Sequence, residues 1–227
     1  LMPFICRDDC LGTLDLLDKC MQHYFALAKK AFPEEDVETI HDFEMTPMRR
    51  AKILVQPACH VAGAAYYYTC RDLNPNPFEG KTIFGVCIHP KYGGWFAIRG
   101  VVIFKSIQCP DLPYTEPIDC VPDQAERVKL LELFTQYWRD WRYRDIINVE
   151  KRYSEDQKAY FATPPKDRKP LIMELRDKYR KIYANYNKQN GCKNHQTDIK
   201  ENNIVNGRSF CELNSKKNCS LITTERY

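Results

Sequence analysis

Hydrophobic and polar positions recur with two different periods along this chain, and the switches between them mark its elements. Leu14, Leu17, Cys20, Met21, Tyr24 and Leu27 return every three or four residues, which predicts a helix from Thr13-Leu14-Asp15 to about Phe32. Pro33 and the acidic run Glu34-Glu35-Asp36 stop it. Residues 37–43 read as a strand, Thr46-Pro47 as a turn and 52–56 as a short apolar piece. Residues 61–68 are small and then aromatic, with Gly63-Ala64-Ala65 permitting close backbone approach to a neighbour or ligand. Asn74-Pro75-Asn76-Pro77 is a loop by composition. Residues 83–88 and 94–104 then read as antiparallel strands joined through His89-Pro90-Lys91-Tyr92-Gly93.

Beyond the prolines at 110, 113, 117 and 122, Asp123 caps a helix reaching about Trp141, with the stripe Val128, Leu131, Phe134 and Trp138. Ser154 and Gln157 form a capping box for the next helix, which Thr163-Pro164-Pro165 ends. Residues 171–186 make a third, highly charged helix. The pattern describes one α+β domain over residues 1–186, an antiparallel sheet flanked by helices. Residues 187–227, rich in Asn and Lys with little periodicity, read as a flexible tail.

Within this pattern Arg99 stands out. The stretch 94–104 is apolar on both faces, with Trp95, Ala97, Val101 and Ile103 on the side of Arg99 and Phe96, Ile98, Val102 and Phe104 on the other. Such a run predicts a central, covered strand. A guanidinium there stays charged and requires an anion, supplied either by a carboxylate of the fold or by a ligand.

Composition narrows the classes. Hydrophobic residues at 44% and charged residues at 28% suit a soluble globular protein. No run approaches the roughly 18 apolar residues of a membrane span, and no signal pattern opens the chain. The net charge of +4 resolves into +3 from residue 185 onward, where seven Lys/Arg meet four Asp/Glu, and +1 before it. That balance argues against a nucleic-acid surface in the folded part. Eleven cysteines include no C-x-x-C pair, and His41, His60 and His89 do not pair with them at zinc-finger spacing. Reduced thiols in a cytoplasmic setting, with no metal held directly by the protein, are the expectation.

Two more arginines have unusual neighbours. Arg144 follows Trp138-Arg139-Asp140-Trp141-Arg142-Tyr143, where it can pair with Asp140 or Asp145 or lie among the rings. Arg168 follows the Pro164-Pro165 break and reads on its own as a solvated helix start. If the three arginines converge, they form a socket for a small molecule with several carboxylates. His60 and His89 are each either a base, a metal ligand or a satisfied core group. Cys87 reads as a small hydrophobe of the core, and Tyr66-Tyr67-Tyr68 suits a flat, polar-edged ligand or an ordinary amphipathic strand.

The segments Met48-Arg49-Arg50-Ala51-Lys52-Ile53-Leu54, His60-Val61-Ala62-Gly63-Ala64-Ala65-Tyr66-Tyr67-Tyr68, Gly85-Val86-Cys87-Ile88-His89-Pro90, residues 93–102, Trp138-Arg139-Asp140-Trp141 and residues 152–165 closely resemble the MMACHC (CblC) family. The resemblance runs from about Val37 to Arg168. It implies a modified flavin-dependent nitroreductase fold and an intracellular cobalamin chaperone that removes the upper axial ligand. The expected activities are glutathione-dependent dealkylation of alkylcobalamins and reductive decyanation of cyanocobalamin, on cobalamin bound base-off. A thiol oxidase side cycle follows if oxygen reoxidises the cobalt.

Position by position, the resemblance places glutathione on Arg99, Arg144 and Arg168. It places cobalamin on Asp42, Ile53, Leu54, Val55, Gln56, Tyr67, Tyr68, Thr69, Cys87 and Ile98, with Trp141 and His60 at the upper-face pocket. No protein nucleophile is implied, because the thiol of glutathione fills that role. FMN or FAD is the implied alternative electron source, an MMADHC-like trafficking adaptor the implied partner, and a monomer or weak homodimer the implied state. Thr69 and Phe84 stand where the family carries a glutamine and a small polar residue. The chain starts at Leu1, later than family members do, so part of the lobe around the pocket is expected to be absent. A non-catalytic cobalamin carrier and a flavin nitroreductase without a cobalamin role are the competing readings.

Overall fold

The computed structural model describes residues 1, 3–7 and 15–189. They fall into two compact units, Thr13–Pro165 and Leu1–Gly12 together with Lys166–Tyr227. The predicted tail lies outside the described residues, apart from its first positions, which continue a helix.

The larger unit is α+β. Helix α1 (Leu16–Lys30) is capped by Asp15, whose carboxylate accepts from the backbone N–H groups of Leu17 and Asp18. Strand β1 (Val37–His41) pairs antiparallel with β4 (Gly100–Phe104), in the register Thr39 opposite Val102. Helix α2 (Val55–Val61) leads into β2 (Tyr66–Tyr68), which pairs antiparallel with β3 (Val86–Ile88). Helix α3 (Gln124–Tyr137) is capped by Asp123 and followed by two short 3-10 turns, Trp138–Asp140 and Arg142–Asp145. Helix α4 (Glu155–Ala162) begins with the full Ser154/Gln157 capping box.

In the smaller unit, a 3-10 turn at Pro3–Cys6 packs against helix α5 (Arg168–Gln189). Arg176 donates to the Arg7 carbonyl there at 3.1 Å. Phe4, Ile5, Leu175 and Tyr179 are buried.

Two predictions about the sheet are corrected. Strands β3 and β4 do not form a hairpin with each other, and the stretch 94–104 is not one central strand. Residues 95–99 carry no ladder, and β4 begins only at Gly100. Gly100 has φ +147°, and a Cβ there would run into the Ile40 carbonyl, so the chain turns sharply onto β1 at a position that requires glycine. The apolar run is therefore shared between a linker and a two-stranded ribbon. Val102 and Ile103 remain exposed at 39% and 38%, which a covered strand would not allow. Helix α2 is an addition, because its seven residues are too few to show a helical period.

A hydrophobic core of the larger unit joins Tyr68, Val86 and Ile88 of the β2–β3 ribbon to Leu130 and Leu131 of α3, with Leu73, Phe78, Val121 and Tyr143 around them. Each such apolar side chain contributes roughly 1.5–3 kcal/mol by leaving water. The end of β1 is tied differently. Glu44 accepts from the His41 backbone N–H at 2.9 Å, lies 3.1 Å from His41 Nδ1 and pairs with Lys52 at 2.8 Å. The Lys52 contact, followed by those of His41, lowers the Glu44 carboxyl from its ordinary value to about 2.

A carboxyl lowered in the folded state stabilises it above the unfolded value, and that stabilisation is lost as pH falls through the folded value. Glu44→Gln is therefore expected to lower the urea midpoint at pH 7. Its difference from the parent should close as pH falls from about 4.5 toward 2. Urea titrations of both proteins across that range check this.

Candidate functional site

Two arginines organise the site, and they do so differently. Arg99 immediately precedes β4, and its backbone carbonyl accepts from Asp42 N–H at 3.1 Å, which aligns the two side chains. Its Nη1 pairs with Asp42 at 3.0 Å and its Nη2 with Asp18 on α1. The fold thus supplies the anion that the sequence demanded. Burial raises both carboxyls above the ordinary range, and the Asp15 charge adds to the effect at Asp18; the Arg99 attraction only partly opposes it. Arg99 Nε and Asp42 Oδ1 remain buried without a hydrogen-bond partner.

Arg144 is held by rings. Its Nη1 donates to the Gly94 carbonyl, and Gly94 N–H donates back to the Arg144 carbonyl at 3.0 Å. Its guanidinium lies 5.0 Å from the ring centroids of Trp141 and Tyr143, 5.3 Å from Tyr153 and 5.6 Å from Trp95. Each face contributes on the order of 0.5–2 kcal/mol. Trp141 adopts a left-handed backbone (φ 69°) between the two 3-10 turns, and its ring stacks on Trp95 at 5.7 Å and 10°.

The ion pair of Arg144 with Asp140 or Asp145 does not form. Asp140 binds Arg142 at 2.6 Å, and Asp145 takes Arg152 and the Trp95 indole N–H, each at 2.8 Å. Among the described residues no carboxylate pairs with Arg144, and its Nε is buried without a partner. Tyr153 connects the two arginines: burial raises its phenol, while Arg144 and then Arg99 oppose that rise.

A cavity of about 140 Å³ lies between α2, β3, the 94–98 linker and α3. Four of the residues expected at the corrin line it: Val55, Gln56, Cys87 and Ile98. Gln56 Oε1 is buried there without a partner. Sequence reasoning did not place Val86, Gly94, Phe96, Phe134 or Tyr143 in this wall. Phe134 was visible only as a core position of its helix, and Tyr143 only as a ring between arginines.

The other expected residues lie elsewhere. Ile53 and exposed Leu54 lead into α2. Tyr67 packs so closely on Gly85 that a Cβ there would sit 2.6 Å from its ring. Tyr68 is fully buried and donates to Asp119 at 2.7 Å. Thr69 caps the 3-10 turn Cys70–Asp72. His60 Nδ1 accepts from Tyr67 N–H at 3.0 Å, and its ring meets Tyr66 edge-on, so it holds the ribbon in place. His89 Nδ1 accepts from Lys91 N–H at 3.0 Å, and burial lowers its imidazole. Arg168 is the first residue of α5, in the smaller unit.

With this geometry in place, comparison with known proteins is decisive. The sequence model of the methylmalonic aciduria and homocystinuria type C family (MMACHC) matches residues 1–172. This chain belongs to the MMACHC family. A chicken relative named cyanocobalamin reductase / alkylcobalamin dealkylase is 51% identical over 172 residues, covering 76% of this chain and 72% of the relative. A human relative of the same name is 49% identical over 172 residues, covering 76% of this chain and 61% of its own length. The crystal structure of the C. elegans B12-trafficking protein CblC, described as a human MMACHC homologue, is 32% identical. It aligns with a TM-score of 0.66 over 73% of this chain and 66% of that one. The chain thus spans less than two thirds of the human relative. Among the described residues, no helix is long and apolar enough to cross a membrane.

Removing the Arg99 charge would leave Asp18 and Asp42 facing each other. Arg99→Gln is expected to cost about 1–3 kcal/mol of folding stability, the penalty for hydrogen-bonding groups left without their partner, because the partial exposure of both carboxylates offsets the larger cost of an unpaired charge. Chemical denaturation measures it, and an unchanged midpoint would refute the tie.

Proposed function

We propose that this chain binds cobalamin base-off and removes its upper axial ligand, as a cyanocobalamin reductase and alkylcobalamin dealkylase. The names and identities of its relatives support the substrate. One structural observation supports the co-substrate: Arg144 is a cation among rings, with no described carboxylate to neutralise it. Glutathione has two carboxylates that a guanidinium can bind bidentately. Arg144 is the principal anchor in this reading. Arg99 and Arg168 are assigned to the same ligand in this reading by resemblance alone.

Free thiols have a pKa near ~8.5, so only a few per cent is thiolate at neutral pH, and nearby guanidinium charge raises that share. The thiolate attacks the alkyl carbon on cobalt. A carbon–sulfur bond forms, the cobalt–carbon bond breaks, and its electron pair stays on cobalt. Base-off binding removes the lower nitrogen donor and eases that departure. In decyanation two electrons, from two thiols that join as a disulfide or from one reduced flavin that becomes oxidised, pass to cobalt, and the cobalt–carbon bond breaks with cyanide leaving as the anion. Exposed Phe84 offers a ring rather than a hydrogen-bonding group at a position where the resemblance implies that a flavin or corrin edge is read, which weighs against FMN or FAD as the electron source more than against cobalamin.

Ligand pockets typically measure ~300–1,000 Å³. A cavity of about 140 Å³ cannot enclose a corrin, so the corrin lies across its mouth with Gln56 and Cys87 beneath its edge. The nitroreductase-like fold, the thiol oxidase side cycle, an MMADHC-like adaptor, a monomer or weak homodimer and a cytoplasmic setting belong to the same reading. So does a single domain over 1–186 with a tail.

The test is the absorbance spectrum of the protein mixed with methylcobalamin, before and after glutathione. A base-off shift followed by glutathione-dependent loss of the methylcobalamin spectrum is expected. A base-off shift that glutathione never changes would make the chain a carrier. Arg144→Gln should leave the first shift intact and raise the half-saturating glutathione concentration by about tenfold or more, the equivalent of one charged hydrogen bond. Unchanged saturation would remove Arg144 from the clamp.

A further inference from the structure

A second cation reaches the rings that hold Arg144. Lys158, on α4, places its Nζ 5.2 Å from the ring centroid of Trp95, the same ring that the Arg144 guanidinium approaches to 5.6 Å. Trp95 is held in place, because its indole N–H donates to Asp145 at 2.8 Å, Trp141 stacks on it and the residue is buried. Both charges therefore lie close to one fixed point. Their separation cannot exceed the reach of one extended tripeptide, about 10–11 Å.

We propose that Lys158 is a second anion-binding residue of this site. Arg144 takes one carboxylate of an acidic thiol, Lys158 takes the other, and together they select thiols with two carboxylates over thiols with one. The assignment rests on the glutathione reading above and deepens it. Lys158 pairs with Glu155 at 2.9 Å, one turn back on α4, but the Glu155 side chain is 88% exposed. An ion pair so open to water contributes little and yields readily to a ligand anion. The Lys158 side chain is only 28% exposed.

The two cations suit different parts in this. Arg144 presents a planar fork to one carboxylate, whereas the Lys158 ammonium is a point charge with three rotatable donors, so it can exchange the Glu155 carboxylate for another without leaving the ring. Two cations beside one ring also repel each other. A ligand with two carboxylates relieves that repulsion at both ends, and a ligand with one relieves it at one end only. Other basic residues are less suited: both Nη atoms of Arg99 already pair with Asp18 and Asp42, and Arg168 belongs to the smaller unit.

The full chain, free of cobalamin, is titrated with three thiol-blocked ligands while tryptophan emission is followed. They are S-methylglutathione, its glycine monoethyl ester, and N-acetyl-S-methylcysteinylglycine, which lacks the glutamyl carboxylate. The parent should bind S-methylglutathione about fivefold more tightly than either of the others, the upper end of what an ion pair open to water gives. Lys158→Met keeps an apolar stem on Trp95 and removes the charge. It should abolish one of the two preferences, the one for the carboxylate that Lys158 holds, and keep the other; Lys158→Arg should retain both. Each preference is a ratio within one protein, so a uniform weakening of binding does not imitate this result. A Lys158→Met protein that keeps both preferences would overturn the assignment and leave Arg144 and the proposed function standing. Loss of all binding in Lys158→Met but not in the parent would overturn it too, since that marks a structural role. Equal binding of the three ligands by the parent would overturn the selection of two carboxylates. Binding of none would overturn the assignment together with the glutathione part of the proposed function.

Discussion

Asp18 and Asp42 close on the Arg99 guanidinium from α1 and from the end of β1, and the larger unit is arranged around that contact. A guanidinium cannot discharge by losing its proton, so its anion has to come from somewhere. Here two carboxyls accept burial to supply it. The contact fixes α1 against the β1–β4 ribbon and sets the point from which the 95–99 linker runs back to the cavity. It also divides the work between the arginines, because the charge of Arg99 is largely spent inside the fold. The charge of Arg144, spread against four rings and one carbonyl, remains able to attract an anion.

The division follows from how the chain crosses the unit. After β3 it turns at residues 89–93, exchanges hydrogen bonds with Arg144 through Gly94, and reaches β1 only at Gly100. The unladdered linker lets Phe96 and Ile98 face the same cavity as Cys87, while Trp95 turns to the ring cluster. A regular hairpin would have fixed these side chains by strict alternation. The crossing places an apolar floor, an unsatisfied amide oxygen and a ring-held cation close together, which suits a large cofactor-like substrate attacked by a small acidic thiol.

Much of the helical framework was legible in the sequence, because caps act locally. Asp15, Asp123 and the Ser154/Gln157 box each satisfy backbone donors within three residues, so their meaning does not depend on the rest of the fold. The apolar run at 94–104 misled for the opposite reason. Hydrophobicity on both faces records burial but not which partner provides it, and here part of the run is linker. Arg99 was correctly read as needing an anion, yet Asp18 lies 81 positions away and no local pattern announces it. Val55, Gln56, Cys87 and Ile98 reached the site through family resemblance. Phe96, Phe134 and Tyr143 join them only because tertiary packing brings a linker, a helix and a 3-10 turn to one wall.

The central claim is that Arg144, rather than Arg99, is the cation offered to an acidic co-substrate. Trp95 and Trp141 flank its guanidinium, so their fluorescence reports on it directly. The most direct measurement titrates S-methylglutathione, which keeps both carboxylates but has no free thiol, into cobalamin-free protein while following tryptophan emission. The account predicts a saturable change that disappears in Arg144→Gln. No change in the parent protein, or the same saturable change in the variant, would contradict it.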